Sequence, residues 1–281
     1  MQVVGELRSI REIIGEIKKR EMTIGFVPTM GFLHEGHLSL IRRAKEENDF
    51  VVVSIFVNPL QFGVGEDFEQ YPRDLERDKE LAAAAGCDLL FVPAAKDMYQ
   101  RGYATFVDVD RLTEGLCGAS RPGHFRGVTT VVNKLFNLVS PHRAYFGQKD
   151  AQQALVLQRM IRDLNMDLEL IILPTIRESD GLAMSSRNKY LSSVERKEAS
   201  VLYRSLRLAR ELIDRGEKDA LIVKKSMEDL IRSTRGAVLD YLEIVDTDEL
   251  KPLESINGKC LVAVAVKFGA TRLIDNIFVE V

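Results

Sequence analysis

Up to Thr175, short apolar runs alternate with stretches whose apolar residues recur at helical spacing. Thr23–Pro28, Phe50–Val57, Asp88–Val92, Arg143–Phe146 and Leu168–Leu173 are compact and apolar, and each predicts a buried strand. Leu38–Glu47, Arg73–Ala85 and Ala151–Leu164 carry the helical spacing between them, the second stopped by Gly86. Strands apolar on both sides, alternating with helices, predict a parallel sheet covered on both faces. Such sheets bind ligands on the loops after the carboxyl ends of their strands. Met1–Arg20 reads as an amphipathic charged helix, unlike an apolar leader segment.

The pattern changes after Thr175. Glu178–Lys189 is polar and contains glycine, and Ser192 with Glu195 forms a capping box expected to open a long helix. A second helix is expected over Ala220–Arg232. Three β-rich runs follow, Val238–Val245, Cys260–Phe268 and Arg272–Val281, the last two placed to pair as a hairpin across Gly269. We expect an α/β domain over residues 1–175 and a smaller α+β domain over residues 176–281.

Composition narrows the function. Of 281 residues 46% are hydrophobic and 29% charged, with a formal net charge of −3, which lacks the basic excess of a general nucleic-acid binder. Cys87, Cys117 and Cys260 are scattered, without a paired spacing for a disulfide framework or structural zinc. No run is long enough to span a bilayer. The expectation is a protein of a reducing, cytoplasmic compartment without membrane or nucleic-acid partners.

Four loops carry candidate chemistry. Pro28–His37, PTMGFLHEGH, lies between a predicted strand and helix and holds two of the four histidines, His34 and His37. A helix amino terminus offers free N–H groups to phosphate, imidazoles can donate to phosphate oxygens, and Gly36 lets a flat base approach the backbone. The spacing resembles the HxGH signature of an adenylyl-transferring superfamily. In Ala183–Asn188, AMSSRN, serine hydroxyls and the Arg187 fork suit polyphosphate, as in the second signature loop of that superfamily. In Phe146–Gln153, Gly147 permits close backbone approach and Lys149 can neutralise charge on a transferred phosphoryl group. Asp150 suits either a helix cap or a ligand. In Phe56–Phe62, Gln61 stands polar between Leu60 and Phe62, and Asn58 suits packing or binding equally.

Together MGFLHEGH, FVNPLQF, RPGHFRGV, FGQKDAQQ and ESDGLAMSSRN stand in the order seen in pantothenate synthetases, which the chain resembles through the first domain and into the second. The resemblance implies a Rossmann-like first domain, a carboxyl-terminal lid and a homodimer. It implies an enzyme that joins pantoate to β-alanine with ATP and Mg²⁺ through a pantoyl adenylate. It places Met30, Gly31, Phe32, Leu33, His34, Glu35, Gly36 and His37 around ATP. Gly147, Gln148, Lys149, Asp150, Ile176, Met184, Ser185, Ser186 and Arg187 join them there. It assigns Gln61 to pantoate and β-alanine and Gln153 to pantoate, with His34, His37, Lys149 and Arg187 acting on the transferred group. Direct metal ligands are not assigned. Gln148 stands where the family more often has Glu, and Ala151 where it more often has an aromatic residue. His124 and Arg126 suit structural or dimer-contact roles. Two other readings share the HxGH loop: a nucleotidyltransferase acting on a phosphate-bearing acceptor, and a nucleotide-binding protein without turnover.

Overall fold

The computed structural model describes residues 1–281. In chain order the elements are β1 (Gln2–Val4), α1 (Leu7–Lys19), β2 (Ile24–Thr29), α2 (Glu35–Glu47), β3 (Phe50–Ile55), α3 (Leu75–Ala84), β4 (Leu89–Phe91) and α4 (Ala95–Met98). They continue with α5 (Cys117–Ser120), α6 (His124–Val139), β5 (Arg143–Gly147), α7 (Ala151–Asp163), β6 (Glu169–Leu173) and α8 (Ser193–Glu198). The last are α9 (Val201–Asp214), α10 (Ala220–Arg232), β7 (Ala237–Asp246), β8 (Lys259–Phe268) and β9 (Thr271–Glu280). The chain divides into two compact units. The first comprises Met1–Val109, Arg121–Gly147 and Val156–Pro174, and the second Asp110–Ser120, Gln148–Leu155 and Thr175–Val281.

The first unit is built on a six-stranded parallel sheet in the order β1-β4-β3-β2-β5-β6. Alternation along each strand sorts the core into two layers. Phe26, Val52, Leu89, Phe91 and Phe146 face Ile10, Ile14 and Ile17 of α1 and the apolar residues of α6. Val27, Val51, Val53, Leu90 and Tyr145 face Ile41 and Ala44 of α2 and Ala82 of α3. Strands buried on both sides explain why these runs read as continuous apolar segments. The sequence order reverses beside β2: β3 lies on one side of it and β5 on the other. The carboxyl ends of β2 and β5 therefore meet at a switch point of the sheet.

The second unit carries an antiparallel sheet, β7-β8-β9, with α9 and α10 packed on it. Cys260, Val262, Val264 and Val266 of β8 meet Leu202, Leu206, Val223, Met227 and Ile231 in one core. The expected hairpin closes across Gly269, where φ is +55°.

Three features differ from the sequence reading. The amino terminus is not one helix, because Val3 and Val4 pair with Leu90 and Phe91 as an edge strand before α1 begins. The long helix after Ser192 breaks at Ala199–Ser200 into α8 and α9, although the Ser192–Glu195 capping box forms as expected. The sequence reading contains no helix at the 16-residue α6, because its β-branched run Val128–Val132 favours strand by propensity, although the helix buries eleven of its residues.

Ile10 is fully buried between α1 and the sheet. Ile10→Ala should cost about 2–5 kcal/mol in chemical denaturation. A loss under about 1 kcal/mol would mean that the α1 layer is not packed as described.

Candidate active site

In the first unit the chain leaves β2 through a tight turn. Gly31 and Phe32 are both left-handed, with φ of +85° and +50°. A Cβ on Gly31 would lie 2.9 Å from Ile55 Cγ2 and 3.0 Å from Asp78 Oδ2, so glycine is required for space as well as torsion. Beneath the turn Asp78 of α3, only 1% exposed, accepts the N–H groups of Phe32 and Leu33 at 2.7 Å each. Burial pushes its carboxyl upward, and the two N–H donors oppose that shift.

The turn delivers His34 to the amino terminus of α2. His34 Nδ1 accepts the Gly36 N–H at 3.2 Å, and His37 Nδ1 accepts the His34 N–H at 3.3 Å, a capping box built from two imidazoles. Their ring centroids are 4.1 Å apart. With Nδ1 accepting in each ring, the neutral ring carries its proton on Nε2, as a donor suited to a phosphate oxygen. A Cβ on Gly36 would come within 2.9 Å of His34 Cε1. That close approach is a structural reason for glycine at this position. Glu35 pairs with Arg42 on the helix surface.

The loop after β3 is held from below. Asn58 is 1% exposed and uses its whole carboxamide within the chain. Its Oδ1 accepts from Tyr99 Oη (2.7 Å) and the Leu60 N–H (3.3 Å), and its Nδ2 donates to Gly127 O (3.0 Å) and Gln61 Oε1 (3.1 Å). Burial pushes the Tyr99 phenol upward, which keeps it a donor. Gln61 Nε2 then donates to Met30 Sδ at 3.1 Å, so the two sequence candidates Met30 and Gln61 meet. His124 Nδ1 lies 2.9 Å from Gln61 O, and Arg121 bridges His124 Nε2 (3.1 Å), Gln61 O (3.2 Å) and Glu66 (2.7 and 2.5 Å). Burial raises the Glu66 carboxyl, but Arg121 together with the Gly63 backbone and His124 outweighs it, and the net shift is downward. Arg126 instead stacks over Phe106 at 4.1 Å. A Cβ on Gly127 would come within 2.3 Å of Leu60 O, so α6 can approach this loop only through glycine.

In the second unit Gln148–Asp150 forms a 3₁₀ turn that runs directly into α7. Gly147 ends β5 with open space around its Cα, and Lys149 Nζ lies 3.7 Å from Asp150 Oδ1. Gln152 is buried and fully engaged: it donates to Leu112 O and Gly115 O at 2.9 Å each and accepts the Cys117 N–H at 2.9 Å. Half-buried Gln153 is its neighbour.

The Ser–Ser–Arg segment is braced in the same unit. Met184 N–H bonds to Ile176 O at 3.0 Å, and Ser185 caps a 3₁₀ turn over Ser186–Tyr190 by accepting the Arg187 N–H. Asn188 donates to Glu178 (2.8 Å), while Arg196 spans Glu178 (2.5 Å) and Asp180 (2.6 Å). Gly181 has φ of +91°, and a Cβ there would sit 2.0 Å from the Tyr203 ring. No group of three or more His, Cys, Asp or Glu side chains is placed to hold a metal ion. Within each unit taken by itself, the loops carry hydrogen-bond donors and cations of a kind suited to anionic groups.

The pantoate–β-alanine ligase family model matches residues 2–278. The chain belongs to that family. It is 58% identical to the pantothenate synthetase of Moorella thermoacetica, over all of this chain and 99% of that one. It is likewise 58% identical to the enzyme of Acetivibrio thermocellus over the whole of both chains. Pantothenate synthetase from Thermus thermophilus superposes with a TM-score of 0.94 at 50% identity, covering 99% of each chain. The Francisella tularensis pantoate–β-alanine ligase, whose structure is complexed with β,γ-ATP and β-alanine, superposes with a TM-score of 0.80 at 35% identity, covering 99% and 97%.

Sequence reasoning missed the residues beneath these loops, among them Asp78, Tyr99, Gly127 and Arg121. Asp78 sits in the charged run Arg73–Glu80, where nothing marks one carboxylate as buried. A stricter reading of helical phase could have flagged it, since Ala82, one turn on, belongs to the core.

Gly127→Ala should destabilise the protein by about 1–3 kcal/mol, because backbone atoms would meet the new methyl group; a neutral result in thermal unfolding would contradict that contact. The Arg196 hydrogen bond holds the Asp180 carboxyl below its usual range. A carboxyl lowered in the folded state contributes stability above its unfolded value of about 3.9, and loses it as pH falls through the native value. Urea unfolding at pH 7 and pH 3 should therefore show a smaller acid loss for Asp180→Asn than for the parent. Equal losses would remove the pair from the acid response.

Proposed function

We propose that the chain condenses pantoate with β-alanine, converting ATP to AMP and pyrophosphate through an enzyme-bound pantoyl adenylate. The observation that carries this reading is the paired-imidazole cap at the HxGH loop, in a chain of this family whose donors suit phosphate and a small hydroxy acid. In the first step a carboxylate oxygen of pantoate attacks the α-phosphorus, and the bond to the bridging oxygen of pyrophosphate breaks. Pantoate is already ionised near neutral pH, so no general base is needed. In the second step the free amine of β-alanine attacks the acyl carbon. The acyl–oxygen bond breaks, AMP leaves with that oxygen, and the amine gives up a proton.

The roles follow the chemistry of each group. His34 and His37 donate through Nε2 to the nucleotide phosphates, with the turn Met30–Leu33 and Gly36 carrying the nucleotide. Lys149 and Arg187 offset charge on the departing pyrophosphate, beside the backbone of Gly147, Gln148 and Asp150 and the Ile176 and Met184–Ser186 segments. Gln61 and Gln153 hold pantoate by uncharged hydrogen bonds, and Gln61 also serves β-alanine. Asn58 acts through Gln61, since its own hydrogen-bonding capacity is filled. Mg²⁺ enters with ATP, held by phosphates and water, consistent with a site of donors and cations. Residues 1–175 bind ATP and pantoate, and residues 176–281 serve as a lid that keeps water from the mixed anhydride. The family resemblance also supports a homodimer, which light scattering would detect, and a cytoplasmic location.

The test is exchange of labelled pyrophosphate into ATP with Mg²⁺ and pantoate present and β-alanine left out. Exchange that requires pantoate is expected, and Lys149→Ala should reduce it about 10²–10³-fold with melting little changed. Absence of exchange in folded protein that binds ATP would sink the two-step mechanism, and exchange supported instead by a phosphate-bearing acceptor would favour a nucleotidyltransferase.

A further inference from the structure

The turn that carries Lys149 is fixed by a side chain from the last strand of the chain. Asn276 of β9 is 4% exposed, and its Nδ2 donates to Gln148 O and to Lys149 O, each at 2.9 Å. Its Oδ1 accepts from Gln148 Nε2 at 3.4 Å. A carboxamide nitrogen has two hydrogens, and both are spent on consecutive carbonyls. Those carbonyls belong to the two peptide planes that flank the Lys149 Cα. Fixing both planes fixes φ and ψ of Lys149, and with them the direction of its Cα–Cβ bond.

The residue before it braces the other phosphate-handling segment. Asp275, 2% exposed, accepts both Arg177 nitrogens at 2.6 and 3.0 Å, and Arg177 donates on to Gly181 O at 3.0 Å, at the head of the Met184–Arg187 loop. Nothing in the β-sheet asks for these side chains. The β9 ladder to β8 is made by backbone groups, and Asn and Asp are poor strand formers that a buried strand position would normally exclude. Local preference is overridden where a specific bond is required.

We propose that Asn276 is a positioning residue for adenylate formation, acting through the backbone of Lys149. The inference rests on the reading of Lys149 as a group that acts on the transferred phosphate. Its effect is on placement, where an error of about 1 Å can cost on the order of 10²-fold in rate.

The experiment is a double-mutant cycle read by pantoate-dependent pyrophosphate exchange. Parent, Asn276→Ala, Lys149→Ala and the double variant are compared for exchange kcat, KM for ATP and melting temperature. Asn276→Ala should lower kcat about 10–100-fold, with a smaller change in KM and melting within about 4 °C of the parent. In the Lys149→Ala background the same substitution should change kcat by less than about twofold. Asn276→Asp keeps the shape while removing both donors, and should follow Asn276→Ala. An equal factor in both backgrounds, or an unchanged kcat, would overturn the proposal. So would failure of both Asn276 variants to fold, which would assign the residue to stability. A parent without pantoate-dependent exchange would point to the functional reading itself.

Discussion

A loop at the carboxyl end of a strand has no ladder to satisfy its peptide groups, and in this protein buried side chains do so. Asp78 takes the N–H groups of Phe32 and Leu33, Asn58 binds Leu60 and Gly127, and half-buried His124 adds a bond to the carbonyl of Gln61. Gln152 binds Leu112, Gly115 and Cys117, and Asn276 holds Gln148 and Lys149. Each buried peptide group left unpaired would cost about 1–3 kcal/mol. The bonds that remove this penalty also fix the conformations of the segments that bear the candidate chemistry.

That economy suits a reaction whose nucleophile needs no activation. A carboxylate attacking phosphorus gains little from a base and much from alignment, and the order of magnitude available from alignment is about 7–11 kcal/mol. The two imidazoles illustrate how structure and chemistry share a residue. Each uses Nδ1 to cap α2 and so leaves its proton on Nε2, where a phosphate can accept it. Had the cap been Ser and Glu, as in Ser192–Glu195, the helix would start as well but offer no such donors.

The sheet of the first unit was legible because its strands are buried on both faces and so read as continuous apolar runs. The HxGH loop was legible because its chemistry is concentrated in a few contiguous residues. α6 escaped because its β-branched run Val128–Val132 favours strand, and β1 because three residues carry too little pattern. The supporting residues escaped for another reason. Asp78 lies 45 residues from Leu33, and Asn276 lies 127 residues from Lys149, so their partners exist only in the folded chain. The sequence singled out His34, His37, Gln61 and Lys149, while most of the side chains that hydrogen-bond to their segments are apparent only in the folded chain. Asn58, which by sequence suited packing or binding equally, has its carboxamide hydrogen-bonded within the chain.

The central claim is that pantoate's own carboxylate oxygen becomes bonded to the α-phosphorus of ATP. Pantoate labelled with ¹⁸O in both carboxylate oxygens, turned over with ATP, Mg²⁺ and β-alanine, tests it directly by mass spectrometry of the products. The account predicts one labelled oxygen in AMP and the other in the amide of pantothenate. Label in inorganic phosphate or pyrophosphate, or unlabelled AMP formed alongside pantothenate, would contradict it.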